Sequence, residues 1–166
     1  SAACLAGLSE LSDCETLVRG GIALYGSSPF RANEGGDRLA TVASLSAQVI
    51  QIRRVKAGSS LGYGSTFSVD KDSDIAIVGL GYADGLPRLL SNRGYCAING
   101  RRFPIRGTIS MDTFHLDVSD ADVSAGDVVQ IFGDAPTLRE VADHASTIDY
   151  EILTGLGRRL ERVYFD

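Results

Sequence analysis

Lysine is nearly missing from this chain. Of its sixteen cationic residues only Lys56 and Lys71 are lysines, so chemistry that needs a covalent lysine has two candidates and no more. Methionine is scarcer still: the single one is Met111, and the chain opens on Ser1-Ala2-Ala3 without an initiator, which predicts a piece of something longer. Three cysteines, Cys4, Cys14 and Cys96, are odd in number and widely spaced, giving neither a disulfide framework nor a zinc pattern, and fit a reducing cytoplasm. No long hydrophobic run occurs. The longest, around residues 75–82, is too short to span a bilayer, so no membrane partner is expected, and no charged-then-apolar leader precedes the first residues. A truncated start would still leave room for such a segment upstream. Positive charge is also short: a net charge of −5 argues against nucleic acid, whose binding needs a basic face. The runs Arg53-Arg54, Arg101-Arg102 and Arg158-Arg159 read as solvated ends of strands or helices.

What is present is an ordinary globular composition. With 166 residues, 44% hydrophobic and 22% charged, the chain can bury one sizeable core. Residues 1–8 are small and apolar, 9–15 polar, and 17–25 form an apolar run interrupted by Gly20 and Gly21; this suits a short helix, a loop and a buried strand with a glycine turn. A turn-rich linker follows, and the domain boundary is placed between residues 30 and 40, giving domains 1–35 and 36–166. Beyond it, β-type segments at 41–55, 75–80, 95–98, 102–109, 114–118 and 127–132 alternate with glycine or aspartate turns. Asn99-Gly100 between two of them is a strong hairpin signal, because both residues tolerate positive φ. Helix enters late. Thr137-Leu138-Arg139-Glu140 is a capping box ahead of an apolar face of Leu138, Val141, Ala142 and Ala145, a second short helix should begin after Asp149, and the alternation over 160–165 predicts a closing strand. The expected fold is mainly β: a small closed β-barrel or sandwich with two short C-terminal helices.

Four elements could carry chemistry. In Gly62-Tyr63-Gly64-Ser65-Thr66 the flanking glycines can project a phenol from a loop. Taken alone, the same segment reads as a turn tyrosine half-packed on the barrel, and a phenol, ionising near 10, acts as an acid or base only with a cation beside it. Residues 79–88 combine three glycines and a proline around Tyr82, Asp84 and Arg88, either a rigid shaped loop or a long hairpin turn; the spacing is not a dinucleotide fingerprint. Gly107-Thr108-Ile109-Ser110-Met111-Asp112 reads as core plus turn. In Val18-Arg19-Gly20-Gly21-Ile22 paired glycines expose amides of the kind that hold phosphate. His115 and His144 have no carboxylate or cysteine at ligand spacing, so they are expected on a strand face and a helix face, with no metal site.

Together, in this order, the segments Ser-Ala-Ala at the start, Val18-Arg19-Gly20-Gly21-Ile22-Ala23-Leu24-Tyr25-Gly26, Gly62-Tyr63-Gly64-Ser65-Thr66-Phe67, Gly81-Tyr82-Ala83-Asp84-Gly85, Ser110-Met111-Asp112 and Tyr150-Glu151-Ile152-Leu153-Thr154 resemble the C-terminal portion of bacterial alanine racemase. The resemblance covers essentially the whole chain. It implies an N-terminal α/β barrel carrying pyridoxal 5′-phosphate on a lysine, a C-terminal β domain, a small amino-acid substrate and a head-to-tail homodimer. The first thirty or so residues would then be a remnant of that barrel's last strand and helix.

By the same resemblance Ser1, Gly21 and Ile22 serve the cofactor phosphate, which in α/β barrels lies in the last loops. Arg19 faces the pyridine nitrogen, where a donor-only guanidinium keeps that nitrogen unprotonated and the ring a weaker electron sink. Tyr63 becomes one of two bases, acting from the other subunit, and the arginine it needs falls in the absent N-terminal portion. The Met111 amide holds the substrate carboxylate, Tyr82 is a gate, and Asp84, Arg88 and Asp112 lie along the substrate corridor. Two positions depart from the family. Arg158 stands within the segment that often carries a phosphate-binding tyrosine and could serve the phosphate itself, and Thr108 stands where the family frequently has arginine. Neither Lys56 nor Lys71 lies in the Tyr-Gly motif of a cofactor lysine, so this chain alone is expected not to bind the cofactor covalently and to be inactive. A serine racemase built on the same domains differs by one hydroxyl in the substrate, and a free-standing β-barrel binding module is the reading outside catalysis.

Overall fold

The computed structural model describes residues 20–30 and 39–165, so Ser1, Cys4, Cys14 and Arg19 lie outside the described residues. The chain divides into two compact units, residues 1–43 and 44–166.

In the described part of the first unit the expected strand is replaced by a 3-10 turn, Ile22–Tyr25, with only Ile22 buried. Leu24 and Tyr25 are exposed. The chain cannot continue extended because Gly26 takes φ +81° and donates its amide to the Ala23 carbonyl. Left-handed backbone of that kind is cheap only for glycine.

The second unit is built on a six-stranded antiparallel sheet of β1 (Leu45–Val55), β4 (Ser73–Val78), β5 (Tyr95–Ile98), β6 (Arg101–Pro104), β7 (Phe114–Asp117) and β8 (Val128–Phe132), in spatial order β6-β5-β8-β1-β4-β7. A separate hairpin pairs β2 (Ser60–Leu61) with β3 (Phe67–Ser68). Strand β1 is long enough to serve two neighbours: its first half pairs with β8, its second with β4, and a bulge at Ile50 bends it between them. An extra residue of this kind increases local twist and curls the sheet. The two edges then meet. Ile105, just past β6, bridges to Leu116 of β7, and the Arg106 amide donates to the His115 carbonyl at 2.9 Å, leaving a nearly closed barrel.

Its interior is filled by Val49, Val78, Phe114, Leu116, Val129, Ile131 and Ile105, all fully buried. Each such side chain contributes on the order of 1.5–3 kcal/mol, against at most about 1 kcal/mol for an exposed ion pair, so the core sets the stability. The unbroken apolar run of β4 is explained by burial on two sides. Ala76 and Val78 pair with Leu116 and Phe114, whereas Ile75 forms a second cluster with Leu61 and Val69, against which Val55 and Phe67 pack. That second cluster seats the β2-β3 hairpin and, at its tip, Tyr63.

The Asn99-Gly100 turn has φ of +50° and +77°, the two left-handed residues that a tight hairpin requires. The capping box forms as expected: Thr137 Oγ1 accepts from the Glu140 amide and a Glu140 oxygen accepts from the Thr137 amide at 2.8 Å, starting α1 (Leu138–His144). Helix α2 is Asp149–Gly155. Two strand expectations are corrected. The segment 102–109 ends as a strand at Pro104, because Gly107 at φ +77° turns the chain toward the Tyr63 hairpin. Residues 160–165 form no strand: the sheet edges are already joined, and Val163, Tyr164 and Phe165 stay exposed with no edge to pair.

Candidate active site

Tyr63 sits between two glycines whose backbone no other residue adopts readily. Gly62 has φ +73° and ψ 174°, Gly64 has φ +73°, and Ser65 follows at φ +49°. A Cβ on Gly62 would lie 2.6 Å from the Thr108 nitrogen, so the turn is pressed against the 107–112 segment. The phenol itself is free of the barrel, with Tyr63 75% exposed, which decides against a half-packed turn tyrosine. Three polar side chains hold the turn from below, and a fourth, Ser91, holds the segment it rests on. Thr108 Oγ1 donates to the Tyr63 carbonyl at 2.9 Å and lies 2.9 Å from Thr66 Oγ1. Asn92 donates from Nδ2 to Thr66 Oγ1 at 3.2 Å, while its Oδ1 accepts from the Gly107 amide at 2.6 Å. Ser91 Oγ accepts from the Ile109 amide at 3.0 Å.

The second aromatic turn rests on the other end of that segment. The Tyr82 and Ala83 amides donate to the Ser110 and Met111 carbonyls at 3.1 and 3.0 Å, and a Cβ on Gly81 would lie 2.1 Å from the Met111 oxygen. The 3-10 turn Tyr82–Asp84 is closed by Asp84, whose Oδ2 accepts from the Gly81 amide at 2.9 Å. Tyr82 and Met111 are both exposed, so Met111 is not core. Its amide donates to no described residue.

Asp84 is 6% exposed, and a carboxylate that deeply placed needs a cation. Arg159 supplies it: Nε lies 3.1 Å from Asp84 Oδ1 and Nη1 lies 2.8 Å from Asp112 Oδ1. The backbone seals the same contact, the Gly157 amide donating to the Asp84 carbonyl at 2.8 Å and Gly85 meeting Gly155 so closely that a Cβ would lie 2.2 Å from its oxygen. Arg159 is the residue that sequence reading passed over as part of a solvated basic run. The signal for it was indirect: two acids on separate loops with no cation assigned. Arg158, its neighbour, is exposed, and Arg88 is exposed in the 3-10 turn Arg88–Leu90. Neither side chain pairs with a described residue. The other basic runs are also engaged, Arg54 with Asp74, Arg101 with the Asp120 carbonyl and Arg102 with Glu140.

Elsewhere the titratable groups are structural. Lys56 pairs with Asp72 at 2.6 Å and Lys71 with Asp120 at 3.5 Å, both on the surface; the Lys56 hydrogen bond holds the Asp72 carboxyl below its ordinary range. His115 lies on β7, where burial lowers its pKa, and His144 in the last turn of α1 meets the Tyr95 ring edge-on at 5.1 Å. Burial pushes the Cys96 thiol up and leaves it inert. Tyr95 donates to Glu140 at 2.7 Å, and Arg102 reaches both. Burial and that bond raise the phenol to about 12. Burial also opposes ionisation of Glu140, but hydrogen bonds from Tyr95, Thr137 and Arg102 outweigh it and bring the carboxyl down to about 2. Among the described residues no group of three or more His, Cys, Asp or Glu could hold a metal ion, and no helix is long and apolar enough to cross a membrane.

In the first unit Gly21 precedes the 3-10 turn without a side-chain cap, and Ile22 is its first residue. Neither amide donates to a described residue. Two adjacent donors unengaged by any described residue, one of them on a residue without a Cβ, fit an anionic phosphate ester.

A nearly closed β-barrel that carries two exposed aromatic turns on one short segment defines the class: a mainly β domain with two short helices. The comparisons name the family. The family model described as "Alanine racemase, C-terminal domain" matches residues 42–164. A catabolic alanine racemase of Agrobacterium fabrum is 48% identical over 151 residues, covering 89% of this chain and 38% of the relative, and an alanine racemase of Thermobifida fusca is 42% identical over 152 residues, covering 89% and 40%. The crystal structure of alanine racemase from Bartonella henselae with covalently bound pyridoxal phosphate is similar at a TM-score of 0.81 and 41% identity, covering 87% of this chain and 40% of that one. The chain belongs to the alanine racemase family, and it spans about two fifths of the length of the relatives it matches.

Proposed function

We propose that this chain is the C-terminal part of a pyridoxal-phosphate-dependent alanine racemase interconverting L- and D-alanine, with Tyr63 as one of its two bases. Inverting Cα requires that a proton leave one face and another arrive on the opposite face, so a group must stand on each. The observation that carries the reading is the shared 107–112 segment: it holds the Tyr63 backbone at one end, with the phenol left exposed, and at the other offers the Met111 amide, which donates to no described residue and suits an amino acid's carboxylate. When bound, the cofactor withdraws the electron pair left at Cα. The residues here do the rest. Tyr63 moves a proton at its phenol oxygen, Met111 orients the substrate, Tyr82 narrows the approach, and Asp84, Arg88 and Asp112 line it. The amides of Gly21 and Ile22 receive the cofactor phosphate together with Ser1, and Arg19 serves the ring nitrogen.

The reading includes a head-to-tail homodimer in which Tyr63 serves the partner's cofactor, and the exposure of most of the Tyr63 surface supports a site completed from outside this unit. It also includes a cytoplasmic enzyme supplying D-alanine to peptidoglycan. The test is made on the longer polypeptide that carries this segment, loaded with pyridoxal 5′-phosphate. D-alanine should form from L-alanine, and Tyr63→Phe should slow it by about 10²–10⁴-fold, the usual worth of a positioned acid-base group. No racemisation, D-serine formed in preference to D-alanine, or an unimpaired Tyr63→Phe enzyme overturns the reading.

A further inference from the structure

We propose that Thr108 is a positioning residue for Tyr63, acting through a hydrogen-bond relay of fixed direction that also enlists Thr66 and Asn92. The inference rests on the reading of Tyr63 as a base and adds what makes a base on a hairpin tip precise. A hydroxyl has one hydrogen to give. Thr108 gives its own to the Tyr63 carbonyl, so the 2.9 Å contact with Thr66 Oγ1 must be a donation from Thr66. Thr66 in turn accepts from Asn92 Nδ2 on the same oxygen. The order is therefore Asn92 to Thr66 to Thr108 to the Tyr63 carbonyl, each oxygen both accepting and donating until the last.

The last link is the shielded one. Thr108 is only 5% exposed, so water does not replace its bond to the Tyr63 carbonyl, whereas Thr66 stands at the surface, and hydrogen bonds in such a chain polarise one another. The far end is anchored as well: Asn92 spends its Oδ1 on the Gly107 amide and its Nδ2 also on the Thr66 carbonyl at 3.3 Å. The near end is where definition is otherwise lacking. Gly62 and Gly64 have no side chains to pack, and Tyr63 has most of its surface in solvent. Glycine-flanked backbone is intrinsically mobile, and an error of about 1 Å in a reacting group can cost on the order of 10²-fold in rate. Thr108 is thus the side chain that ties the tyrosine's own peptide unit to the segment bearing the Met111 amide.

The test uses the full polypeptide with its cofactor. Thr108→Val keeps the shape and deletes the hydroxyl; it should lower kcat about tenfold with KM for alanine little changed, and Thr108→Ser should restore it. The diagnostic readout is the pair of primary isotope effects with Cα-deuterated L- and D-alanine. A misplaced Tyr63 makes its own proton transfer slower, so the effect should rise for the hand from which Tyr63 takes the proton and fall for the other. Mere loss of folded enzyme scales kcat and leaves both effects as they were. Should Thr108→Val fail to fold, Thr66→Val interrupts the relay one link away and must give the same divergence at smaller size. Unchanged isotope effects in these variants, with Tyr63→Phe inactive, overturn the positioning role alone. An active Tyr63→Phe enzyme overturns the reading of Tyr63 instead.

Discussion

The two tyrosine turns rest on one segment and are held by different physics. The Tyr63 turn is hung from neutral side chains: two hydroxyls and a carboxamide hold its backbone, and its glycines supply left-handed dihedrals. The Tyr82 turn is clamped by close backbone approach and by charge. Gly81, at an ordinary extended φ of −147°, is needed for space rather than for conformation, and Arg159 joins the buried Asp84 to the exposed Asp112. Neutral hydrogen bonds carry no net charge for salt to screen, whereas an ion pair open to water is screened within about 10 Å at 0.1 M. One turn is therefore tuned by side-chain shape and the other by ionic conditions.

The largest expected effect comes from filling the space under the Tyr82 turn. Gly81→Ala places a carbon 2.1 Å from the Met111 oxygen, and the backbone must move; the cost should be about 3 kcal/mol, read as a fall in Tm of roughly 6–12 °C at about 2–4 °C per kcal/mol. Gly100→Ala is the contrast, with open space around its Cβ but φ +77°, and should cost only about 1–2 kcal/mol. Equal losses would mean that close approach is not what holds the Tyr82 turn.

Next in size is Arg159→Met, which keeps the stem and removes the charge. It strands the Asp84 carboxylate, but the guanidinium is 56% exposed, so the penalty falls well short of that of a fully buried pair. Amide exchange should quicken at the Tyr82 turn and not at the Tyr63 turn. The same asymmetry should follow from adding sodium chloride to the unsubstituted chain, and uniform acceleration of both turns would abolish the distinction.

A control away from both turns comes from Glu140. Its carboxyl is depressed in the fold to about 2, so the stabilisation it supplies is complete above the unfolded value near 4.3 and is lost as pH falls from there toward 2. The raised Tyr95 phenol gives the opposite limb: its contribution is present below pH 10 and disappears as pH climbs through about 12. Glu140→Gln should remove about 1 kcal/mol at neutral pH, discounted for partial exposure, and flatten most of the acid limb in a denaturant titration against pH, leaving both tyrosine turns unaltered. The smallest effect belongs to Asp112→Asn. With its side chain 57% exposed, it should cost about 0.5 kcal/mol or less, vanishing in high salt; a loss as large as that of Arg159→Met would mean that Asp112, not Asp84, anchors the clamp.

Much of this architecture was legible in local sequence. The alternation of residues 114–118, the Asn99-Gly100 turn and the Thr137-to-Glu140 box each report on contacts a few residues apart, and all three form where expected. The misreadings share a cause. Residues 160–165 alternate like a strand, but pairing depends on a free edge, and the Ile105–Leu116 bridge had already joined the edges. The run 17–25 was read by hydrophobicity alone, and in its described part Gly26 decides the turn. At the site, Tyr63, Tyr82, Asp84, Met111 and Asp112 could be picked out by their motifs, whereas Thr108 was visible only as a departure from the family and Arg159 only as one half of a basic pair.

By itself, then, the sequence determined the strand periods, the turns, the helix caps and the family, because each is written in residue types at fixed short spacing. Only the tertiary structure decided that residues 62, 81, 108 and 159, up to 97 positions apart in the numbering, meet along residues 107–112. Closing a barrel sets those distances through packing and strand register, and a hydrogen bond between Thr108 and Tyr63 or an ion pair between Arg159 and Asp84 leaves no local pattern from which it could have been read.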